Sequence, residues 1–396
     1  MRPRRARRTS RTSSCARSTS CTVAMNTTCA SSGWTRFRPT RTVRCAVSSA
    51  TCKAYARLVS PFRSLGNRIG RSGPLPMRTR GGLVIRTIGL IGAGSVGSGI
   101  MSVMHAADPD HVVLVARGDR AERLAGGIYV NGRTIAPAVR SARGQGPDID
   151  LLLVTVKSYA LEAALDDIAC VLSPDTIILP LLNGITATER LQRRFPDNRV
   201  LYGTVIRTDA HRIGRRAFFT TLGEMQIGYA NNVVVAPEVA EVRDRLRTLG
   251  VNVNVYDDMR RIQWRKWMLN TGASQVAAET GVECGFFGMV DEIQELIVMC
   301  MDEIVALAHA EQVNLTRADR DDILRFLLAY PADKKMSMLQ DLEAGRPIEI
   351  DDFAGTVVAL GEKHGIPTPA NRIMYLTITA RQKIAAIRRD DTALQG

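Results

Sequence analysis

Three groups of residues have the types and spacing for chemistry. The first is Gly92-Ala93-Gly94-Ser95-Val96-Gly97, a G-x-G-x-x-G run directly after the short apolar stretch Thr87 to Ile91. Gly92 allows a tight turn, Gly94 lets the backbone approach a pyrophosphate, and Gly97 permits close packing of helix on strand, so that phosphates can sit at a helix N-terminus. Alone the run is a weak signal, and a glycine loop without a ligand is the plain alternative. The segment Ser95 to about Ala107 suits a helix and His111 to Ala116 a second strand, which completes the βαβ context of a dinucleotide site.

The second group lies in Trp264-Arg265-Lys266-Trp267-Met268-Leu269-Asn270 and continues to Ser274. Lys266, Asn270 and Ser274 are spaced i, i+4 and i+8, and at about 100° per residue they stay within roughly 80° of arc. One helical face therefore presents an ammonium, an amide and a hydroxyl. An ordinary solvated stripe would look the same, but Trp264, Trp267 and Met268 flank it and predict a buried helix whose polar groups need partners. The third group is Lys335-Met336-Ser337-Met338-Leu339-Gln340-Asp341, followed by Gly345-Arg346-Pro347-Ile348-Glu349-Ile350-Asp351. Pro347 suits a helix start and places Glu349 near a helix N-terminus, where a capping or surface acid is the simpler reading.

The elements that must position these groups follow from periodicity. Leu151 to Val156 and Thr176 to Leu181 are continuous apolar runs, as in parallel strands buried on both faces, with a helix Ser158 to Val171 between them. Val200 to Val205, Thr220 to Gly228 and Val251 to Tyr256 read as further strands, and Pro237 to Leu249 as a helix. From Met259 onward the spacing is helical, with breaks at Gly281 to Gly288, Pro331 and Gly345 to Pro347. The fold class is α/β: a Rossmann-type dinucleotide-binding domain over 84–257, then an all-helical domain over 258–396 that carries the substrate site. Lys157 and Asn183 follow two of the buried strands, at the sheet edge where such folds bind ligands, and both are expected at the cofactor. Arg117 stands where an acid would select NAD by binding a ribose hydroxyl. A guanidinium there suits the 2′-phosphate of NADP(H), with Arg120 assisting; an exposed arginine at a strand end is the alternative.

Charge is distributed unevenly. Residues 1–86 hold 19 of the 53 Lys and Arg and none of the 39 Asp and Glu, so the remainder carries a formal net charge of −5. This removes the charge argument for nucleic acid or a membrane surface as partner. Residues 1–83 show no periodicity and read as a spurious extension, a targeting peptide or a basic arm. Five of the eight cysteines lie in this leader, and no C-x-x-C pair occurs anywhere. The remainder reads as reduced and cytoplasmic, without a metal-ligand cluster and without the ~20-residue apolar run of a membrane span.

The glycine fingerprint, VTVK ending at Lys157, LNG with Asn183, W-x-K-x-x-x-N with Lys266 and Asn270, SMLQD with Ser337, and EID with Glu349 together resemble the ketopantoate reductase family over about residues 85–390. The resemblance implies NADPH-dependent reduction of the 2-keto group of ketopantoate to pantoate. Lys266 would be its catalytic lysine, Glu349 would lie beside that lysine and the substrate, and Asn183, Asn270, Ser274 and Ser337 would be substrate contacts. A positioned ammonium could stabilise the developing alkoxide and give it a proton. Several positions depart from the family pattern: Ser274 replaces an asparagine, Leu182 a histidine and Met336 a serine, and Lys334 stands nearby. These changes touch the substrate pocket, so a reductase of another 2-keto acid and a non-catalytic NADP sensor remain alternatives. Related reductases suggest a homodimer by analogy.

Overall fold

Short runs of Val, Ile and Leu dictate the principal sheet. Numbered along the chain, β1 (Ile88–Ile91), β2 (Val112–Val115), β6 (Leu151–Val154) and β7 (Ile177–Pro180) are buried at every residue. With β5 (Val139–Arg140) and β8 (Arg199–Val200) they form an all-parallel sheet in the order β5-β2-β1-β6-β7-β8. The computed structural model describes residues 84–394, with side chains to Arg388, so the readings made on residues 1–83 lie outside the described residues. Ile88 faces Val112 on one side and Leu151 on the other, and the strand order reverses between β1 and β6. At that reversal the connections diverge and leave a crevice beyond the carboxyl ends of the strands.

Helices α1 (Ser95–Ala107), α2 (Gly118–Ala125), α3 (Leu161–Ala169) and α4 (Ala187–Arg194) make the crossovers. One face of the sheet packs Leu90, Leu114 and Leu153 against Met101 and Met104 of α1; the other packs Ile91, Val113 and Leu152 with Leu165 and Ile168 of α3. The expected strand Val200 to Val205 divides at Leu201. Its first part is β8, and its second, β9 (Tyr202–Ile206), turns into a separate sheet β13-β12-β9 with β12 (Glu224–Gly228) and β13 (Val253–Val255). A small sheet, β10-β11-β3-β4, was not foreseen: β3 (Ile128–Val130), β4 (Arg133–Ile135), β10 (His211–Ile213) and β11 (Arg216–Phe218) have three residues each, and several are exposed, too short for a period to show.

After α5 (Pro237–Thr248) the chain enters α6 (Met259–Thr280), whose limits follow from its ends. Asp258 caps the start by accepting from the Arg261 N–H at 2.9 Å, and Gly281 ends the helix in the left-handed conformation at φ 73°. Helices α7 (Asp291–Ala310), α8 (Arg317–Leu328), α9 (Ser337–Glu343), α10 (Thr356–His364) and α11 (Pro369–Leu394) surround it, with a 3-10 turn over Cys284–Gly288 and a π-helical turn over Asp351–Gly355. Trp267, Phe287 and Phe353 are wholly buried in this helical core. Trp264 packs edge-on to Trp267 with ring centroids 5.1 Å apart, and the Trp267 indole N–H donates to the Asp352 carbonyl at 2.9 Å. At its other end α6 lies on the second sheet, where the Gln263 amide donates to the Gly203 carbonyl at 3.0 Å. One 22-residue helix thus runs from the sheet region into the helical core, and the described residues belong to one compact unit. Among them, no helix is long and apolar enough to cross a membrane.

Candidate active site

A cleft of about 1740 Å³ opens between the carboxyl ends of β1, β6 and β7 and the exposed face of α6. It exceeds the roughly 300–1,000 Å³ usual for one small ligand. Its floor is the glycine loop. Gly92 has φ 105°, and a Cβ there would overlap the Val156 backbone nitrogen. The Thr155 hydroxyl donates to the carbonyls of Gly92 at 2.7 Å and Ile91 at 3.1 Å, which ties the loop to the neighbouring strand. Gly97 touches the same Gly92 carbonyl and Thr155 side chain from behind, leaving no room for a Cβ, whereas a Cβ on Gly94 would meet nothing within 4 Å. Gly92, Ala93, Gly94, Ser95 and Val96 line the cleft, and Gly97 shapes it from the helix side. The first N–H groups of α1 have no partner within the helix and open onto this space, so the loop fits the phosphates of a dinucleotide.

Arg117 follows the second strand as expected. It is the exposed residue before α2 and does not line the cleft; Arg120 and Arg123, one turn apart on α2, do. Gly118, at φ 52°, turns the chain straight into the helix, which puts Arg120 and Arg123 on one face at i and i+3.

The polar centre joins four segments far apart in sequence. Lys157, just after β6, bridges Glu349 at 2.9 Å and Asp341 of α9 at 3.1 Å. Glu349 is 6% exposed and also accepts from the Asn183 amide at 3.1 Å and from the Ser158 N–H and hydroxyl at 3.4 and 3.3 Å. Burial works against its charge, but Lys157, Asn183 and Ser158 outweigh that and hold its carboxyl below the usual range. Burial likewise opposes the charge on Lys157, and Glu349 and Asp341 together overcome it, pushing this lysine up to about 12.

Lys266 has a different environment. Its ammonium donates to the Asn183 side-chain carbonyl at 2.9 Å, so Asn183 bridges Lys266 and Glu349 through the two ends of one amide. Glu349 does not touch Lys266 directly: its carboxylate pairs with Lys157 and meets Lys266 through Asn183, while its charge still favours the protonated lysine. Burial dominates, Glu349 offsets it in part, and Lys157 adds repulsion, which lowers the Lys266 pKa to about 8. The other expected feature of Glu349 was a place at a helix N-terminus. It does lie just ahead of the π-helical turn, yet its oxygens face Lys157, Asn183 and Ser158 rather than the turn's backbone.

Asn270 and Ser337 line the cleft with Lys266, as do Leu182, Lys334 and Met336. Ser274 does not. It is 0% exposed inside the helical core, and its hydroxyl has no partner among the described residues. Eight residues carry it about 12 Å along the axis from Lys266, past the point where Gly272 packs on Met301 of α7. Three participants were not singled out from sequence: Thr155, Ser158 and Asp341 as the second acid on Lys157. Asp341 lay inside a motif already noted, but its partner is 184 positions away. Arg265 also lines the cleft and, with Arg261, pairs with the buried Asp319. No cluster of three or more His, Cys, Asp or Glu able to hold a metal occurs among the described residues.

A parallel sheet of this order, a glycine loop at its switch point and a cleft-lining lysine on an adjoining helix define a Rossmann-type oxidoreductase. The family model for ketopantoate reductase PanE/ApbA matches residues 88–232, and that for its C-terminal region matches residues 258–382. The chain is 30% identical over 231 residues to the 2-dehydropantoate 2-reductase of Vibrio cholerae, covering 58% of this chain and 76% of that protein. It is 27% identical over 296 residues to that of Archaeoglobus fulgidus, covering 73% and 96%. Among solved structures, a PanE/ApbA family ketopantoate reductase from Ralstonia eutropha aligns with a TM-score of 0.64 at 25% identity over 75% of this chain and 98% of that one. D-Mandelate dehydrogenase shares the fold, with a TM-score of 0.67 at 21% identity over 75% of this chain and 98% of that one. The chain belongs to the ketopantoate reductase family.

Proposed function

We propose that this chain is an NADPH-dependent 2-dehydropantoate 2-reductase, which converts ketopantoate to pantoate on the route to pantothenate and coenzyme A. The observation that carries the reading is Lys266, half-buried on the wall of the glycine-loop cleft and held by Asn183, with a pKa near the working range of an acid catalyst. NADPH supplies the hydride. Lys266 stabilises the oxygen of the reacting ketone and donates the proton that completes the alcohol. Asn183 fixes the ammonium, Asn270 and Ser337 orient the keto acid, and Glu349 holds Asn183 and Lys157 in place. Gly92 to Val96 cradle the phosphates, with Lys157 and Asn183 beside them. In this reading residues 84–257 hold the dinucleotide and 258–396 the keto acid.

Purified protein mixed with NADPH and ketopantoate is expected to lose reduced-nicotinamide absorbance at ~340 nm. Absence of loss with ketopantoate but turnover of another 2-keto acid would establish the second reading, a related reductase, which Leu182, Lys334 and Met336 on the cleft wall favour. Coenzyme choice is assigned to Arg120 and Arg123. Replacing both by alanine is expected to raise KM for NADPH by about tenfold or more and to leave that for NADH nearly unchanged, the loss of charge-assisted bonds to a 2′-phosphate. Equal losses with both coenzymes would remove the two arginines from selectivity. A homodimer and a cytoplasmic location belong to the same proposal; the described cysteines Cys170, Cys284 and Cys300 are free, which suits a reducing compartment.

A further inference from the structure

The hairpin of β10 and β11 brings Arg212, Arg215 and Arg216 to the edge of the cleft, although it belongs to neither the glycine loop nor the helical face. Its register opposes Arg212 to Ala217 and Ile213 to Arg216, with the turn at Gly214 and Arg215. Arg216 is occupied, its guanidinium lying 5.1 Å from the centre of the Tyr129 ring. Arg212 and Arg215 have no carboxylate at ion-pair distance among the described residues. The charged and titratable groups that face Arg212 are Arg346, Arg215 and Tyr159. Arg346 offers no relief, because it is a cation already paired with Asp341 at 2.7 Å, and Asp341 is shared with Lys157. Burial first, then Arg346 and Arg215, hold the Arg212 guanidinium below its usual range. A guanidinium does not shed its proton in proteins, so such crowding is relieved by an anion rather than by titration.

We infer that Arg212 and Arg215 form a second oxyanion subsite on the hairpin wall of the cleft, separate from the glycine loop, for a phosphate or carboxylate group of a ligand bound there. Both groups present paired oxygens that a guanidinium fork fits. Two sources carry that chemistry: the phosphates of the dinucleotide and a second acidic group on an extended 2-keto acid. The inference rests on reading the cleft as a dinucleotide and keto acid site, but binding can be measured without turnover.

The test uses the full chain with Arg212→Gln, Arg215→Gln and the double substitution, the exposed Arg215 serving as the variant least able to disturb folding. Calorimetric titrations with NADPH, and with 2-oxoglutarate as a two-carboxylate keto acid in the presence of NADP, are run at low and high salt. The double variant is expected to bind NADPH at least tenfold more weakly, with a flatter salt dependence, if the dinucleotide supplies the anion. An unchanged NADPH Kd with at least tenfold weaker binding of 2-oxoglutarate assigns the subsite to the keto acid. Unchanged binding of both overturns the inference. Failure of the wild-type enzyme to reduce ketopantoate would instead count against the proposed function and leave these titrations interpretable.

Discussion

Lys266→Ala is expected to lower kcat by about 10²- to 10⁴-fold, the range for a positioned proton donor, while the Kd for NADPH changes by no more than a few-fold. The separation follows from position. Lys266 rises from α6 and meets the sheet region through Asn183, whereas the glycine loop is held by Thr155 and its own turn. Removing the ammonium therefore leaves the dinucleotide cradle intact and takes away charge stabilisation that matters most as the alkoxide forms. Steady-state kinetics with a direct NADPH titration make the comparison. A variant with wild-type kcat would exclude Lys266 from the chemistry; a matching loss of NADPH affinity would make it a binding residue.

The second large effect is in pH dependence. An acid catalyst works while protonated, so with the Lys266 pKa lowered to about 8, kcat/KM of the free enzyme is expected to be full below that value and to fall tenfold per pH unit above it. An unperturbed lysine would place the fall near ~10.4. Glu349→Gln tests the cause. The carboxylate is the one nearby charge that raises the Lys266 pKa, against burial and the repulsion of Lys157. Its neutralisation is expected to move the basic limb to lower pH and to reduce activity at pH 8 more than at pH 6. A limb at or above pH 10 in the wild type, or an upward shift in the variant, would contradict the assigned electrostatics.

The sheet was legible because its strands are short, apolar and buried on both faces, and Ser95–Ala107 emerged with the expected bounds because a glycine loop precedes it. Lys266, Asn270, Ser337, Lys157 and Asn183 all line one cleft, as motif order suggested. The failures have a common physical origin. Helical periodicity reports angle but not depth: Ser274 shares an arc with Lys266 yet lies two turns further, beneath α7. Strand-end reasoning singled out Arg117 with Arg120 assisting; all three arginines here are exposed, and Arg120 and Arg123, one turn apart on the helix that begins at Gly118, line the cleft. The partner of Glu349 could not be read either, because the choice between Lys157 and Lys266 depends on side-chain reach across a tertiary contact.

The amide of Asn183 and the carboxylate of Glu349 have one more consequence, for the order in which the molecule comes into being. Lys157 and Glu349 are 192 positions apart, Asn183 and Glu349 166, and Asn183 and Lys266 83. Closing such long loops costs entropy before any contact rewards it. The last strand ends at Val255, and at synthesis rates of about 5–20 residues per second Glu349 follows it by roughly 5–20 s. Through that interval the glycine loop, Lys157, Asn183 and then Lys266 have been made while their shared carboxylate has not. In the proposed reaction, competence for proton transfer is thus acquired only after every strand among the described residues has been synthesised.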